Sequence, residues 1–411
     1  MPGRDGERGS GKRLSLSDTQ AALGFLPAAA HERAGVTARA SELVALDAVP
    51  VAAWSMLFAR AAEPNPFYSP EWALAVHEHA RGHRGAQALL AWDSPAKNRL
   101  IGMLPVVSAW RALKLPFPVL VAWQGYVPLS VPLLDCDEAL RAAQGLLDAA
   151  RQAGAKALLL PYLTGEGAAA RAFREALASQ KRSPVTLHTE ERALLDATAD
   201  QEAMLQEALG SKKLKELRRQ RNRLNDDGEV QFSVNQPAGR TDALNDFLAL
   251  EAAGWKGKRG TALGAHEGDR KFIESAAAKL SAQDRFFVAR LTRGKEVLAA
   301  GLAVRHGARA YFYKVTHDER LAKCSPGVQL TLELTRHFCA DNAVTEVDST
   351  ASADHPMINH IWKKRLVLTE TLLPLSGGTI PIRLSILLRR TLREGARRIV
   401  HRYRAFREKS S

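Results

Sequence analysis

Residues 286 to 349 read as three β-rich apolar runs, a Ser-Pro-Gly break, an amphipathic helix and a short run ending in Asp348. The runs at 286–291 and 297–304 are separated by Thr292-Arg293-Gly294-Lys295, a hairpin-turn composition. With a third run at 310–315, where aromatic residues alternate with small or polar ones, they predict a three-stranded antiparallel meander. Cys324-Ser325-Pro326-Gly327 ends the strand pattern, and 328–340 places Leu330, Leu334 and Phe338 on one helical stripe beside Val328 and Leu332. A loop entering a helix leaves unpaired backbone N–H groups at the positive end of the helix dipole, which suits a phosphate or pyrophosphate. Gly327 lets a ligand approach the backbone closely. Ser-Pro-Gly by itself marks an ordinary helix start; the surrounding order points to a ligand. A strand at 344–348, a helix at 356–364 and a last strand at 366–375 complete that order.

At 411 residues, with 46% hydrophobic and 25% charged residues, the chain has the size and composition of two globular domains. It contains no run of about 18 apolar residues of the kind that spans a membrane. Residues 1–20 are rich in Gly, Ser, Arg and Asp and lack the charged-then-apolar pattern of a signal peptide; we expect residues 1–43 to be disordered. Cys136, Cys324 and Cys339 are odd in number and widely spaced, so the expectation is reduced thiols, no metal site and a cytoplasmic location. The net charge of +14 sits in two segments: residues 211–223 carry +6 and residues 379–411 carry +8. The rest of the chain is close to neutral.

The fold class read from this pattern is α/β (α+β), with antiparallel strands, a helix and a further strand recurring in each half. A first domain is expected over 44–200, with helices at 70–79 and 138–153 and strands at 88–92, 100–110, 119–127 and 157–162. A second is expected over 201–378, followed by a basic amphipathic helix at 379–411. The first copy has residues 128–137 in place of a Gly-rich loop, which reads as a degenerate copy without a cofactor site.

Three polar clusters carry candidate chemistry. Residues 250–262 hold Glu251, Trp255, Lys256 and Arg259 among three glycines; they read either as an aromatic wall with cations for an anionic substrate or as a helix C-cap with a packed Trp. Lys314 ends a strand and Asp318 follows, so the pair offers an oxyanion stabiliser and a proton acceptor, or a surface ion pair. Asp348, at a strand's carboxyl edge, is followed by Asp354 and His355; Asp354 fits an N-cap, and His355 is a candidate base. The basic run 211–223 is helical by spacing, either a solvated face or a phosphate-facing one with Arg218, Arg219 and Arg221. The tail places Leu384, Leu387, Leu388, Leu392, Ile399, Val400 and Tyr403 at helical spacing with arginines opposite, for docking on the core or on an anionic membrane surface.

These residues resemble the GNAT acetyltransferase superfamily, in the branch typified by cellulose-biosynthesis CelD-like proteins and related to the FemAB peptidoglycan-bridge transferases. The resemblance rests on Phe67-Tyr68-Ser69-Pro70-Glu71-Trp72, on Leu250-Glu251 with Gly254-Trp255-Lys256-Gly257 and Gly260-Thr261-Ala262, and on Tyr313-Lys314 with Asp318, Ser325-Pro326-Gly327, Asp348 and Trp362. It implies two tandem GNAT-like domains, each a mixed central sheet flanked by helices, and transfer of an acyl group from acetyl-CoA or another acyl-CoA to an amine or hydroxyl. The implied acceptor is a small molecule or a cell-envelope polysaccharide or lipid precursor. The implied roles are catalysis for Lys314, Asp318 and Asp348, donor binding for Ser325, Pro326, Gly327 and Val328, and acceptor binding for Glu251, Trp255, Lys256, Arg259 and His355. Ser325-Pro326-Gly327 replaces the usual Gln/Arg-x-x-Gly-x-Gly/Ala loop, and FemAB-like relatives imply aminoacyl-tRNA as an alternative donor. A non-catalytic accessory of an envelope-synthesis complex, seated at the inner face of the membrane, is the third reading.

Overall fold

A 13-stranded sheet runs through the residues described by this computed structural model, 40–234 and 240–392. The first half comprises β1 (Ser41–Ala45), α1 (Val51–Ala59), α2 (Pro70–His79), β2 (Gln87–Trp92), β3 (Leu100–Ser108), α3 (Ala109–Leu113) and β4 (Val119–Ala122). It continues with β5 (Leu133–Leu134), α4 (Ala139–Gln152), β6 (Ala157–Thr164), α5 (Ala168–Ala178) and β7 (Val185–Asp196). The second half opens with α6 (Gln201–Asn225), β8 (Val230–Val234), α7 (Arg240–Ala253), α8 (Trp255–Lys258), α9 (Glu267–Ser281), β9 (Phe286–Arg293) and β10 (Glu296–His306). It closes with β11 (Arg309–His317), α10 (Pro326–Ala340), β12 (Glu346–Asp348), α11 (Ile358–Ile361), β13 (Lys364–Pro374) and a last helix, α12, over 380–392.

The strand order is β1-β2-β3-β4-β6-β13-β7-β12-β11-β10-β9-β8, with β5 paired to β3 off this path. Each half repeats one plan: antiparallel neighbours, then one parallel step, β4 to β6 in the first half and β11 to β12 in the second. The halves are joined by exchange. β13 lies between β6 and β7, while β7 lies between β13 and β12, so each half lends its last strand to the other. The long β7–β13 pair is flanked by backbone partners on both sides, which removes two edges that would otherwise stay open.

Helices cover both faces of the second half. α6 and α10 bury Leu217, Leu224, Leu330, Leu334 and Phe338 with Trp362 against one face, and α7 and α9 bury Phe247, Phe272 and Ile273 against the other. The α10 stripe foreseen in the sequence is this buried face. Burying three such side chains contributes roughly 1.5–3 kcal/mol each.

Several expectations change. β1 begins at Ser41, inside the segment assigned to disorder; residues 1–39 lie outside the described residues. The strand expected over 100–110 stops at Ser108, whose Oγ accepts from Arg111 N and caps α3. The strand at 119–127 is only Val119–Ala122. The helix expected at 356–364 is one turn, Ile358–Ile361, because β13 already begins at Lys364. The basic helix extends back to Gln201, broken at Gly210, whose φ of 71° no helix accommodates. Of the tail, residues 380–392 are helical and 393–411, with Ile399, Val400 and Tyr403, lie outside the described residues.

Candidate active site

β11 and β12 pair only over Arg309–Tyr311 with Glu346–Asp348, and then part. β11 carries a bulge at the same place. Its register with β10 passes from Leu302 opposite Lys314 to Ala303 opposite Phe312, leaving Tyr313 without a partner, and such a bulge re-aims the strand that carries it. The result is a V at the carboxyl ends of two parallel strands, where sheets of this kind receive ligands. It holds a cavity of about 570 Å³ walled by Phe312 to His317, by Ser349, Thr350 and Ala351, by the start of α10, and by Glu251, Trp255, Lys256 and His355.

The first half braces the bulged strand from behind. Phe67 and Trp72 pack on Tyr313 at ring distances of 5.6 and 4.9 Å, and Phe67 lies 5.5 Å from Tyr311. Ser69 Oγ accepts from Trp72 N at 3.3 Å and starts α2 with Pro70 in its first turn, so Phe67-Tyr68-Ser69-Pro70-Glu71-Trp72 is a capped helix start aimed at the site strand. Burial pushes the Tyr313 phenol well above its ordinary pKa, so it stays neutral.

Glu251 organises the charged wall. It is fully buried, and its Oε1 accepts from Lys314 Nζ at 3.2 Å and Lys256 Nζ at 3.1 Å, while Oε2 accepts from Leu263 N at 2.8 Å. Burial pushes its carboxyl up, but the two ammonium groups and the Leu263 N–H outweigh that and hold it below the ordinary value. Burial pushes the Lys314 ammonium down, against the pull of Glu251, with Lys256 adding to the decrease. Lys256 also donates to Val315 O at 3.1 Å, tying α8 to β11. Glu251, expected to bind acceptor, instead has its oxygens engaged in holding two lysines. Gly257 is required here, since a Cβ on it would stand 1.8 Å from Ala252 O. Trp255 is 49% exposed and is stacked by Arg259 at 5.0 Å, so Arg259 reaches the cavity only through that ring.

Both of the expected catalytic carboxylates are occupied elsewhere. Asp318 caps the short 3-10 segment Glu319–Cys324: its carboxylate accepts from Arg320 N at 2.9 Å and pairs with the Arg320 guanidinium, and that hydrogen bonding holds its carboxyl below the usual range. Asp348 is fully buried; Oδ2 takes the Arg192 guanidinium and Oδ1 accepts from Thr350 N at 2.9 Å. Neither lines the cavity. Their sequence neighbours do: Glu319 accepts from Trp255 N at 2.5 Å, and Thr350 Oγ1 donates to Phe312 O at 2.8 Å across the V.

His355 does line the cavity, with its Nδ1 accepting from Met357 N at 3.3 Å and Ile358 N at 3.4 Å. That assignment puts the proton of the neutral ring on Nε2, so His355 offers a donor and not the lone pair of a base. Burial, first, and Lys256 push its pKa down and favour the neutral ring, against Asp354.

At the other end of the V, Ser325 adopts φ 50° and turns the chain into α10. Ser325, Gly327 and Val328 line the cavity, while Pro326 is buried at the first helical position and has no N–H to offer. A Cβ on Gly327 would lie 3.2 Å from His317 Nδ1, so glycine keeps the His317 ring close over the helix start. The sequence reading missed His317, Glu319 and Thr350. His317 was visible as a strand-end residue three places after Lys314, but Thr350 acts through a φ of 49° that no composition signal marks.

The strand plan, the V and the exchange between halves define two tandem GNAT-like halves that share one sheet. Residues 211–363 match the family described as acetyltransferase (GNAT) domain. Among solved structures, the chain is similar to the C-terminal domain (DUF2156) of a putative lysylphosphatidylglycerol synthetase from Agrobacterium fabrum, at 14% identity and a TM-score of 0.51, covering 82% of this chain and 94% of that one. It is similar to FemX at 8% identity and a TM-score of 0.50, covering 79% and 96%. At these identities the likeness is one of fold. No curated protein matches the chain. Among the described residues, no helix is long and apolar enough to cross a membrane.

Proposed function

We propose that the protein transfers an acyl group from an acyl-CoA thioester to an amine or hydroxyl of a small-molecule or envelope-precursor acceptor. The observation that carries this reading is the V itself: a bulged β11, parted from β12, runs from a pair of lysines at one end to the start of α10 at the other. A long donor would lie along β11 with its phosphates toward Gly327, since the Val328 N–H is taken by Ser325 O at 2.9 Å. In the transfer, the acceptor nitrogen or oxygen forms a bond to the thioester carbonyl, the C–S bond breaks, and the acceptor's proton leaves with the thiol. Lys314 Nζ and His355 Nε2 are the donors on the cavity wall for the oxygen that gains charge. Trp255, with Arg259 stacked on it, stands at the acceptor side. Thermal unfolding with acetyl-CoA, longer acyl-CoAs and free CoA tests the reading, since a ligand of the folded state raises its melting temperature. A rise with at least one is expected, and no rise with any overturns it.

One observation favours aminoacyl-tRNA as the donor instead. The basic helix α6 is seated on the start of α10, where Gln329 Nε2 donates to Leu217 O at 2.8 Å. The run 211–223, with a net charge of +6, therefore lies on a helix packed beside α10. Titration with tRNA separates the two readings: tight binding that falls steeply with salt supports the second.

A further inference from the structure

α12 docks on the sheet with the wrong residues for a simple amphipathic helix. Ile382 and Ile386, only 4% and 5% exposed, are its contacts with the core. The stripe the sequence singled out points the other way: Leu384 and Leu388 are 62% and 61% exposed, with Ile380, Leu387 and Leu392 on the same arc. Positions 380, 384, 387, 388 and 392 fall together on a 3.6-residue wheel, so they make one continuous outward face. Five of the eleven exposed large apolar side chains among the described residues are on this one helix. An apolar face of this kind on a folded surface marks a contact.

A second element lies beside it. α3 and α12 share a small cavity walled by Leu113, Ile386, Arg389 and Arg390, and Trp110 of α3 is 60% exposed. A half-exposed Trp with Lys114 Nζ 5.9 Å from its ring has the composition of a side chain at a lipid–water boundary. Arg383 is exposed on the flank of the apolar arc.

We propose that α12 seats this protein on an anionic lipid surface, with Ile380, Leu384, Leu387, Leu388 and Leu392 entering the headgroup–acyl boundary. Charge decides the occupant. Residues 379–411 carry +8, which repels a second copy of the chain and matches anionic headgroups. The described part of the helix, 380–392, lies along the protein surface with Ile382 and Ile386 against the core. Nothing in this depends on which donor the V accepts, because binding is read without one.

The experiment is vesicle flotation of the full-length chain with phosphatidylglycerol-containing and pure phosphatidylcholine vesicles, at low and raised salt. The wild type is expected to float with the anionic vesicles only, and less at raised salt. Leu384→Glu with Leu388→Glu, both at exposed positions, should cut the bound fraction by at least about tenfold with an unchanged melting temperature. The milder Leu384→Ala with Leu388→Ala should fall between. Failure of the wild type to float, equal flotation with neutral vesicles, or full binding by the Glu variant overturns the proposal. So does a change from dimer to monomer in sedimentation of that variant, which would mean the face is covered by a second copy.

Discussion

Lys314 Nζ lies 3.2 Å from Glu251 Oε1, a contact between β11 and α7 across 63 residues of chain. It fixes the ammonium at the side of the V where the strand bulges. Replacing Lys314 with Ala is expected to lower turnover by about 10²–10³-fold while leaving the CoA-induced thermal shift in place. The sign of the pH dependence follows from burial. Because the ammonium's pKa is depressed from 10.5, it is lost at a lower pH than an ordinary lysine, and kcat should fall on the alkaline side before that value. Lys314→Arg should move the alkaline limb upward. A pH profile of kcat for the three proteins checks this, and an unchanged limb removes Lys314 from the reaction.

Glu251→Gln leaves two neighbouring ammonium groups without their shared counter-charge. A loss of about 2 kcal/mol of stability is expected, read as denaturant midpoint. The carboxyl's folded pKa is depressed, so its contribution is full above the ordinary value of 4.5 and disappears as pH falls below that through the folded value. The difference between wild type and variant should therefore shrink in acid. A difference that grows in acid contradicts this account.

The buried Arg192–Asp348 pair joins β7 to β12, with Arg192 also donating to Pro128 O at 2.8 Å. Arg192→Leu leaves Asp348 charged and buried, and should cost about 3–5 kcal/mol. The double change to apolar residues should recover part of that. A double-mutant cycle in thermal unfolding measures it.

Gly327→Ala brings a methyl group to 3.2 Å from His317 Nδ1 and tightens the α10 start. The expected effect is a rise in KM for the donor of several fold, on the order of 1 kcal/mol, with kcat little changed. Equal effects on both constants would place the glycine at the reacting end instead.

The sequence was legible where periodicity and punctuation carry the signal. The meander, the Ser-Pro-Gly start and the α10 stripe appear in place because each is specified by residues within a few positions of one another. Lys314 and Trp255, which the sequence singled out, both line the cavity. The pairing of Asp348 was not readable, since its partner Arg192 is 156 residues distant in the chain, whereas Asp318 takes a partner only two residues on, Arg320. The direction faced by Leu384 and Leu388 was equally hidden, because a helix with apolar residues on more than one face does not announce which of them the core will take. β7 escaped notice because His188, Thr189, Glu190, Glu191 and Arg192 look like loop composition, and its pairing on both sides comes from distant strands.

The exchange of β7 and β13 has a consequence for synthesis. Thr369 Oγ1 donates to Leu163 O across 206 residues, so β6 waits for a partner that has not yet been translated. At roughly 5–20 residues per second, the ribosome needs on the order of 10–40 s to deliver it. During that interval β6 has β4 on one side and an open edge on the other. The nascent chain is therefore most exposed to aggregation in the middle of its own translation, and its yield should depend on chaperones and on elongation rate more than its folded stability would indicate.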